Sequence, residues 1–154
     1  MSARDPMLPA DPDYAAAVRR NTLGMPIARM FGVQFAVVGP GHVEAVLPYR
    51  EDLGYKAGHF QGVAVSAVAY FAATSAIGTL LPADRVAMTL DQTVKFFAPA
   101  AGERLVARGR TVSSGRSVGV GAADVYAVRD GRETLCATAL VTSRNVKRTP
   151  TETP

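Results

Sequence analysis

Tryptophan is absent from these 154 residues, and cysteine and histidine nearly so, with one Cys and two His. The single thiol, Cys136, cannot close an internal disulfide, nor build a structural zinc site alone. It stands in "ETLCATALV", which reads as a strand, so a buried, inert thiol is expected. Aromatic residues make up only 7%, and the densest basic stretch, "RGRTVSSGR", carries none. That argues against a base-stacking platform for nucleic acid. The net charge of +4 is scattered along the chain and suits a small anionic ligand, such as one bearing phosphates. The opening "MSARDPMLPADPD" has no apolar run behind its Arg, unlike a secretory signal. A cytoplasmic location is the resulting expectation.

A second absence is local. Residues 58–82, "GHFQGVAVSAVAYFAATSAIGTLLP", contain no charged side chain. The run is long enough for a membrane span. Its composition points elsewhere, because Ala, Gly, Ser and Thr dominate and gain little from lipid. Ala64, Ala67, Ala72 and Ala73 would instead let a neighbouring backbone approach closely. A buried core helix is the expectation, with no membrane partner.

What is present fills one domain. Hydrophobic residues are 48% and charged residues 19%, as in a globular chain. We expect a loose arm over 1–12, one domain over 13–146 and a frayed tail over 147–154. "DYAAAVRRNTLGMPIARMFG" predicts a short helix broken near Gly24 and Pro26. Gly39-Pro40-Gly41 between apolar runs predicts a β-hairpin, and "REDLGYKAGHFQ" a polar loop. Beyond Pro82 come four long strands, with a turn at 99–102 and another at Asp130-Gly131. In "RVAMTLDQTVKFFAPA" the alternation puts Val86, Met88, Leu90, Gln92, Val94 and Phe96 on one face, with Thr89, Asp91, Thr93 and Lys95 opposite. The apolar face of such a sheet needs cover, and only the uncharged helix is long enough to supply it. The fold class is α+β, an antiparallel sheet of five to six strands curved around a central helix.

These stretches resemble a hotdog-fold acyl-CoA thioesterase of the phenylacetate-pathway type over residues 23–146. In that family the helix opens with Asn-x-x-Gly-x-x-His-Gly-Gly, and an Asp or Glu follows about one and a half turns on. Here the segment is "YKAGHFQGV". Gly58 and Gly62 match, while Tyr55, Gln61 and Val63 replace the Asn, the His and the second Gly. Thr89, Asp91, Phe96, Pro99, Gly102, Gly115 and Arg116 fit the later strands, as does "DGRETLCATALVTS". The resemblance implies dimers or dimers of dimers, with an acyl thioester held between subunits at the start of the helix. Coenzyme A enters as part of the substrate, and no metal or other cofactor is implied.

The resemblance also distributes roles. The Gly62 N–H would hold the thioester carbonyl, as the exposed amides and partial positive charge of a helix N-terminus allow. Gln61 can hydrogen-bond beside it. Where the family acid falls stands Tyr70, a poor base at neutral pH, with Thr74 on the same helix face. His59 and Asp91 are the candidate bases, with Glu51 and Asp52 behind them. Phe60, Val63, Gly115 and Arg116 are the candidate substrate contacts, and Arg108 and Arg110 stand near Arg116 for phosphates. Two functions follow: thioester hydrolysis, or non-catalytic binding of acyl-CoA or another apolar ligand, favoured by Tyr70. A hotdog dehydratase ranks last, because no His–acid pair stands on the helix.

Overall fold

The computed structural model describes residues 7–149. The short helix is broken as expected, into α1 (Tyr14–Leu23) and α2 (Pro26–Phe31). Pro26 opens the second, where its missing N–H costs nothing, and Gly32 closes it in the left-handed region at φ 78°. The hairpin joins β1 (Gln34–Gly39) to β2 (His42–Pro48), with Gly39 paired to His42. The polar loop has more structure than expected. A single 3-10 turn, Glu51–Leu53, leads into the two short strands β3 (Gly54–Lys56) and β4 (His59–Phe60).

The uncharged run becomes α3 (Gly62–Gly78), shorter than the run itself. The four strands follow: β5 (Arg85–Phe96), β6 (Arg104–Ser114), β7 (Val118–Arg129) and β8 (Arg132–Lys147). They join β1 and β2 in one antiparallel six-stranded sheet of order β1-β2-β6-β7-β8-β5. This is the expected α+β hotdog arrangement. Among the described residues, no helix is long and apolar enough to cross a membrane. The expected arm and tail lie partly outside the described residues. Of the tail, Lys147 still pairs with Arg85, and the Arg148 N–H donates to Asp84 O at 2.9 Å.

The sheet's cover is α3, and its small side chains set how close the two layers come. α3 packs against β2, β5, β6, β7, β8 and α1. Ala64, Ala69, Ala72, Ala73 and Ala76 are buried, as are Val65, Val68, Phe71 and Ile77. Opposite them the strands carry glycine. A Cβ on Gly109 would lie 2.2 Å from the Ala72 carbonyl oxygen, and one on Gly121 2.7 Å from that of Ala73. Gly109→Ala therefore forces helix and sheet apart. It should cost about 3 kcal/mol, at the upper end of overpacking penalties. For a domain of this size that lowers Tm by roughly 6–12 °C in a thermal melt. Gly131→Ala has nothing within 4 Å of its new Cβ and only a positive φ of 74° against it. It should cost roughly 1 kcal/mol.

β5 departs from its expected alternation. Thr89 pairs with Ser143 and Asp91 with Thr142, so Leu90 is an extra residue against β8. Such a bulge exchanges the two faces of a strand on either side of it. Met88 and Leu90, expected inside, are 56% and 63% exposed, while Thr89 turns to α3. Beyond the bulge, Gln92 and Val94 are half-buried and Asp91 is exposed. Thr89 and Asp91, expected on one face, thus lie on opposite faces. Among the described residues, β5 is also the end of the sheet, with β8 as its one neighbour.

Candidate active site

The start of α3 is pinned from both sides. Phe60 N–H donates to Ala100 O at 2.9 Å, Gln61 N–H to Leu53 O at 2.8 Å, and Gly102 N–H to Gly58 O at 3.0 Å. Gln61 is the N-cap, in extended backbone at φ −76° and ψ 147°. Its side-chain oxygen accepts the Val63 N–H, and its carbonyl accepts those of Ala64 and Val65. Capping of this kind satisfies orphan amides of a helix start. It leaves out Gly62, whose N–H has no acceptor among the described residues. Gly62 is half-buried, and a Cβ placed there would sit 3.7 Å from the Phe96 ring, in ordinary contact. A bare amide therefore stands at the positive end of a helix, beside an α-carbon that a methyl group would not crowd.

The neighbours of Gly62 differ in what they offer. Val63 is 64% exposed, and Phe96, beside Gly62, is 54% exposed, making an apolar rim at the helix start. Phe60 is buried, edge-on to Tyr49 at 5.2 Å, and belongs to the core rather than to any open surface. His59 Nδ1 lies 2.9 Å from Ala57 O. A carbonyl only accepts, so Nδ1 is the donor here, and in the neutral imidazole Nε2 keeps its lone pair. Asp52 is tied to Arg50 at 3.0 Å, and that guanidinium holds its carboxyl below the usual range.

Halfway along α3 lies a cavity of about 450 Å³, bounded by α1, α3 and the start of β5. Tyr14, Ala17, Val18, Asn21 and Thr22 form its α1 wall, at the i, i+3, i+4 spacing of one helix face, and Met25 follows beyond the break. Tyr70 and Thr74 form the α3 wall. Tyr70 Oη accepts a hydrogen bond from Thr89 Oγ1 at 3.0 Å, so the phenol proton remains to be donated. Thr74 Oγ1 donates to the Tyr70 carbonyl at 2.8 Å, so its oxygen can accept. Thr22 and Ser75 hydroxyls meet at 3.1 Å and latch α1 onto α3. This face can hold water between a donor and an acceptor, with no carboxylate from α3.

The remaining candidates lie elsewhere in the chain. Tyr70 is eight residues beyond Gly62, about 12 Å along the axis. Asp91 is exposed on the outer face and does not line the cavity. Gly115 and Arg116 are exposed in the β6–β7 turn, at the end of the sheet where Gly119 meets Ile77 near the end of α3. Arg108 and Arg110, grouped with Arg116 for phosphates, are instead engaged. Arg108 binds Glu133 at 2.7 Å and Glu44 at 3.1 Å, and Arg110 binds Asp124 at 3.2 Å. The Glu133 carboxylate, then that of Glu44, raises the Arg108 pKa above its ordinary value. Cys136 is buried against Val125 O at 3.3 Å, and burial pushes its thiol up, consistent with an inert residue. Among the described residues, no three His, Cys, Asp or Glu side chains converge as a metal cage would require.

Of the residues that line the cavity, the sequence marked only Tyr70 and Thr74 as site residues; Asp11, Arg85, Thr89 and Arg148 are among those it did not. The helical spacing of α1 was the available signal for its wall. Thr89 was hidden by the bulge.

Residues 57–143 match the Thioesterase superfamily. A thioesterase family protein from Silicibacter pomeroyi is similar over 88% of this chain and 99% of its own, at 32% identity and TM-score 0.84. A thioesterase from Haemophilus influenzae is 17% identical, with 87% of this chain and 92% of its own covered and TM-score 0.75. A phenylacetic acid degradation-related protein from Ralstonia eutropha is 23% identical, with 83% and 98% covered and TM-score 0.70. These last two likenesses concern the fold. Among curated proteins, none matches the chain in sequence.

Proposed function

Since this chain belongs to the thioesterase superfamily, we propose that it hydrolyses an acyl-CoA thioester, medium-chain or aromatic, at a seam between two copies of itself. The unpartnered Gly62 amide carries this reading. It would donate to the thioester oxygen as negative charge develops there, beside the Gln61 side-chain amide. Water held by Tyr70 and Thr74 adds to the carbonyl carbon; the C–S bond breaks, and the water's proton ends on the departing coenzyme A thiolate. His59, with its free Nε2, is the nearest basic nitrogen in sequence to Gly62.

The seam follows from distance. Gly62 and Tyr70 of one chain stand about 12 Å apart along α3, too far to serve one carbonyl. A second copy can bring them together. Strand β5 is an edge with exposed Met88, Leu90 and Phe96. Long apolar edges of this kind favour pairing with another strand, and a two-fold axis lets β5 pair with itself. A dimer, or a dimer of dimers, is the assembly proposed. The match of Gly58, Gly62, Pro99, Gly102, Gly115 and Arg116 to the family motif supports the phenylacetate-pathway type. Exposed Arg116 would reach coenzyme A phosphates.

A second reading is favoured by Tyr70. α3 offers a hydroxyl where a base is wanted, which suits a binder of acyl-CoA that does not cleave it. Thiol release from octanoyl-CoA and phenylacetyl-CoA, measured alongside binding, separates the two. Hydrolysis above background is expected, slowed by His59→Ala and unchanged by Asp91→Asn. Binding without release would establish the binder instead.

A further inference from the structure

The cavity beside Tyr70 has two unlike ends. Thr22 meets Ser75, and Val18 meets Gly78, so α1 runs antiparallel to α3. At one end are the hydroxyls of Tyr70, Thr74 and Thr89. Toward the other, Arg85 stands at the start of β5 and Arg148 reaches Asn21 on α1. Thr89 is four strand steps beyond Arg85, about 13 Å. Between them the lining is mostly apolar, including Val18, Val86 and Met88.

The arginine end is short of acceptors. Arg85 donates to the Asn145 carbonyl at 3.0 Å and the Arg116 carbonyl at 3.3 Å. Arg148 donates to the Asn21 side chain at 3.3 Å, and its Nε is buried with no partner. Among the described residues, neither guanidinium has a carboxylate at ion-pair distance. Asp11 lines the same cavity, with one oxygen accepting the Asp13 N–H at 2.8 Å, so two cations face one carboxylate. A buried donor without an acceptor is costly, and an anionic ligand group would remove that cost.

We propose that this cavity takes an acyl chain whose far end carries a carboxylate, held by Arg148 and Arg85. The substrate class is then an ω-carboxyacyl thioester of medium length. The assignment rests on the hydrolase reading only for the thioester. The anion could also be a phosphate of the coenzyme A carrier. The apolar passage between the hydroxyls and the arginines favours the acyl end.

Amides test this without catalysis, their neutral carbonyl standing for that of the thioester. In calorimetric titrations of the full chain, the monoamide of octanedioic acid should bind at least about tenfold tighter than octanamide, the effect of one charge-assisted contact. Arg148→Met keeps the side chain's bulk and should erase the preference while leaving octanamide binding unchanged. Arg85→Met, with a thermal melt to verify folding, repeats the test if the first variant does not fold. Equal binding of the two amides would overturn the proposal. So would a preference that survives loss of either arginine, or displacement of the monoamide by adenosine bisphosphate. Preference for the monoamide with no thioester cleaved would leave this inference standing and remove the hydrolase reading. Cleavage without preference would do the reverse.

Discussion

Gly62→Pro should fold as the parent does and lose about 100- to 1,000-fold in kcat for thioester hydrolysis. Proline is welcome at the first position of a helix, because that N–H is unbonded in any case and φ near −65° is already required. The preceding residue must be extended, and Gln61 is, at ψ 147°. The Gly62 N–H is the group that proline deletes, and it has no acceptor among the described residues to lose. Removing one donor to a developing oxyanion typically costs about 3 kcal/mol, which sets the expected loss. Gly62→Ala is the control. It keeps the N–H, and its Cβ meets only the Phe96 ring, at 3.7 Å. Steady-state kinetics on the two variants, with a thermal melt of each, isolates the amide from the shape of the turn. If the proline variant melts like the alanine variant and cleaves as fast, Gly62 serves the fold alone.

The second large effect runs the other way. Tyr70→Asp should raise hydrolysis by about 100-fold, the lower range of general-base contributions. Tyr70 is half-buried and borders the 450 Å³ cavity, and Thr89 Oγ1 donates to its hydroxyl at 3.0 Å. An aspartate there is shorter and leaves space for a water between it and Thr89. It must be ionised to take a proton from that water. The gained rate is therefore present above the new carboxyl's pKa and lost as pH falls through it. Tyr70→Asn loses the same edge contact with Phe71, at 5.6 Å between centroids, and supplies no base. Its rate should not rise above the parent's, because an amide can hold the water but cannot take its proton. A Tyr70→Asp variant no faster than Tyr70→Asn across the pH range would show that no thioester is presented to this face of α3.

Both expectations use positions that the chain shows openly. Gln61-Gly62 before an uncharged Ala-rich run marks a helix start, and Tyr70 falls at a fixed spacing beyond it. The same local rules located the break at Gly24 and Pro26, the hairpin at Gly39-Pro40-Gly41 and the last four strands, because each depends on neighbours in sequence. The parity of β5 did not yield to them. A bulge at Leu90 is a property of the β5–β8 pair. Its partner, some fifty residues away, decides where the register slips.

The local pattern by itself determined the α+β class, the buried helix and the glycine at its mouth, since period, composition and turn chemistry act over a few residues. Only the tertiary structure decided that Thr89 reaches Tyr70, that Asp91 faces outward, and that Arg108 and Arg110 are already engaged by carboxylates. It alone brought Arg85 and Arg148 to one end of a cavity beneath α1. Such meetings depend on which strands pair and which helix covers them, and packing sets those across the whole chain.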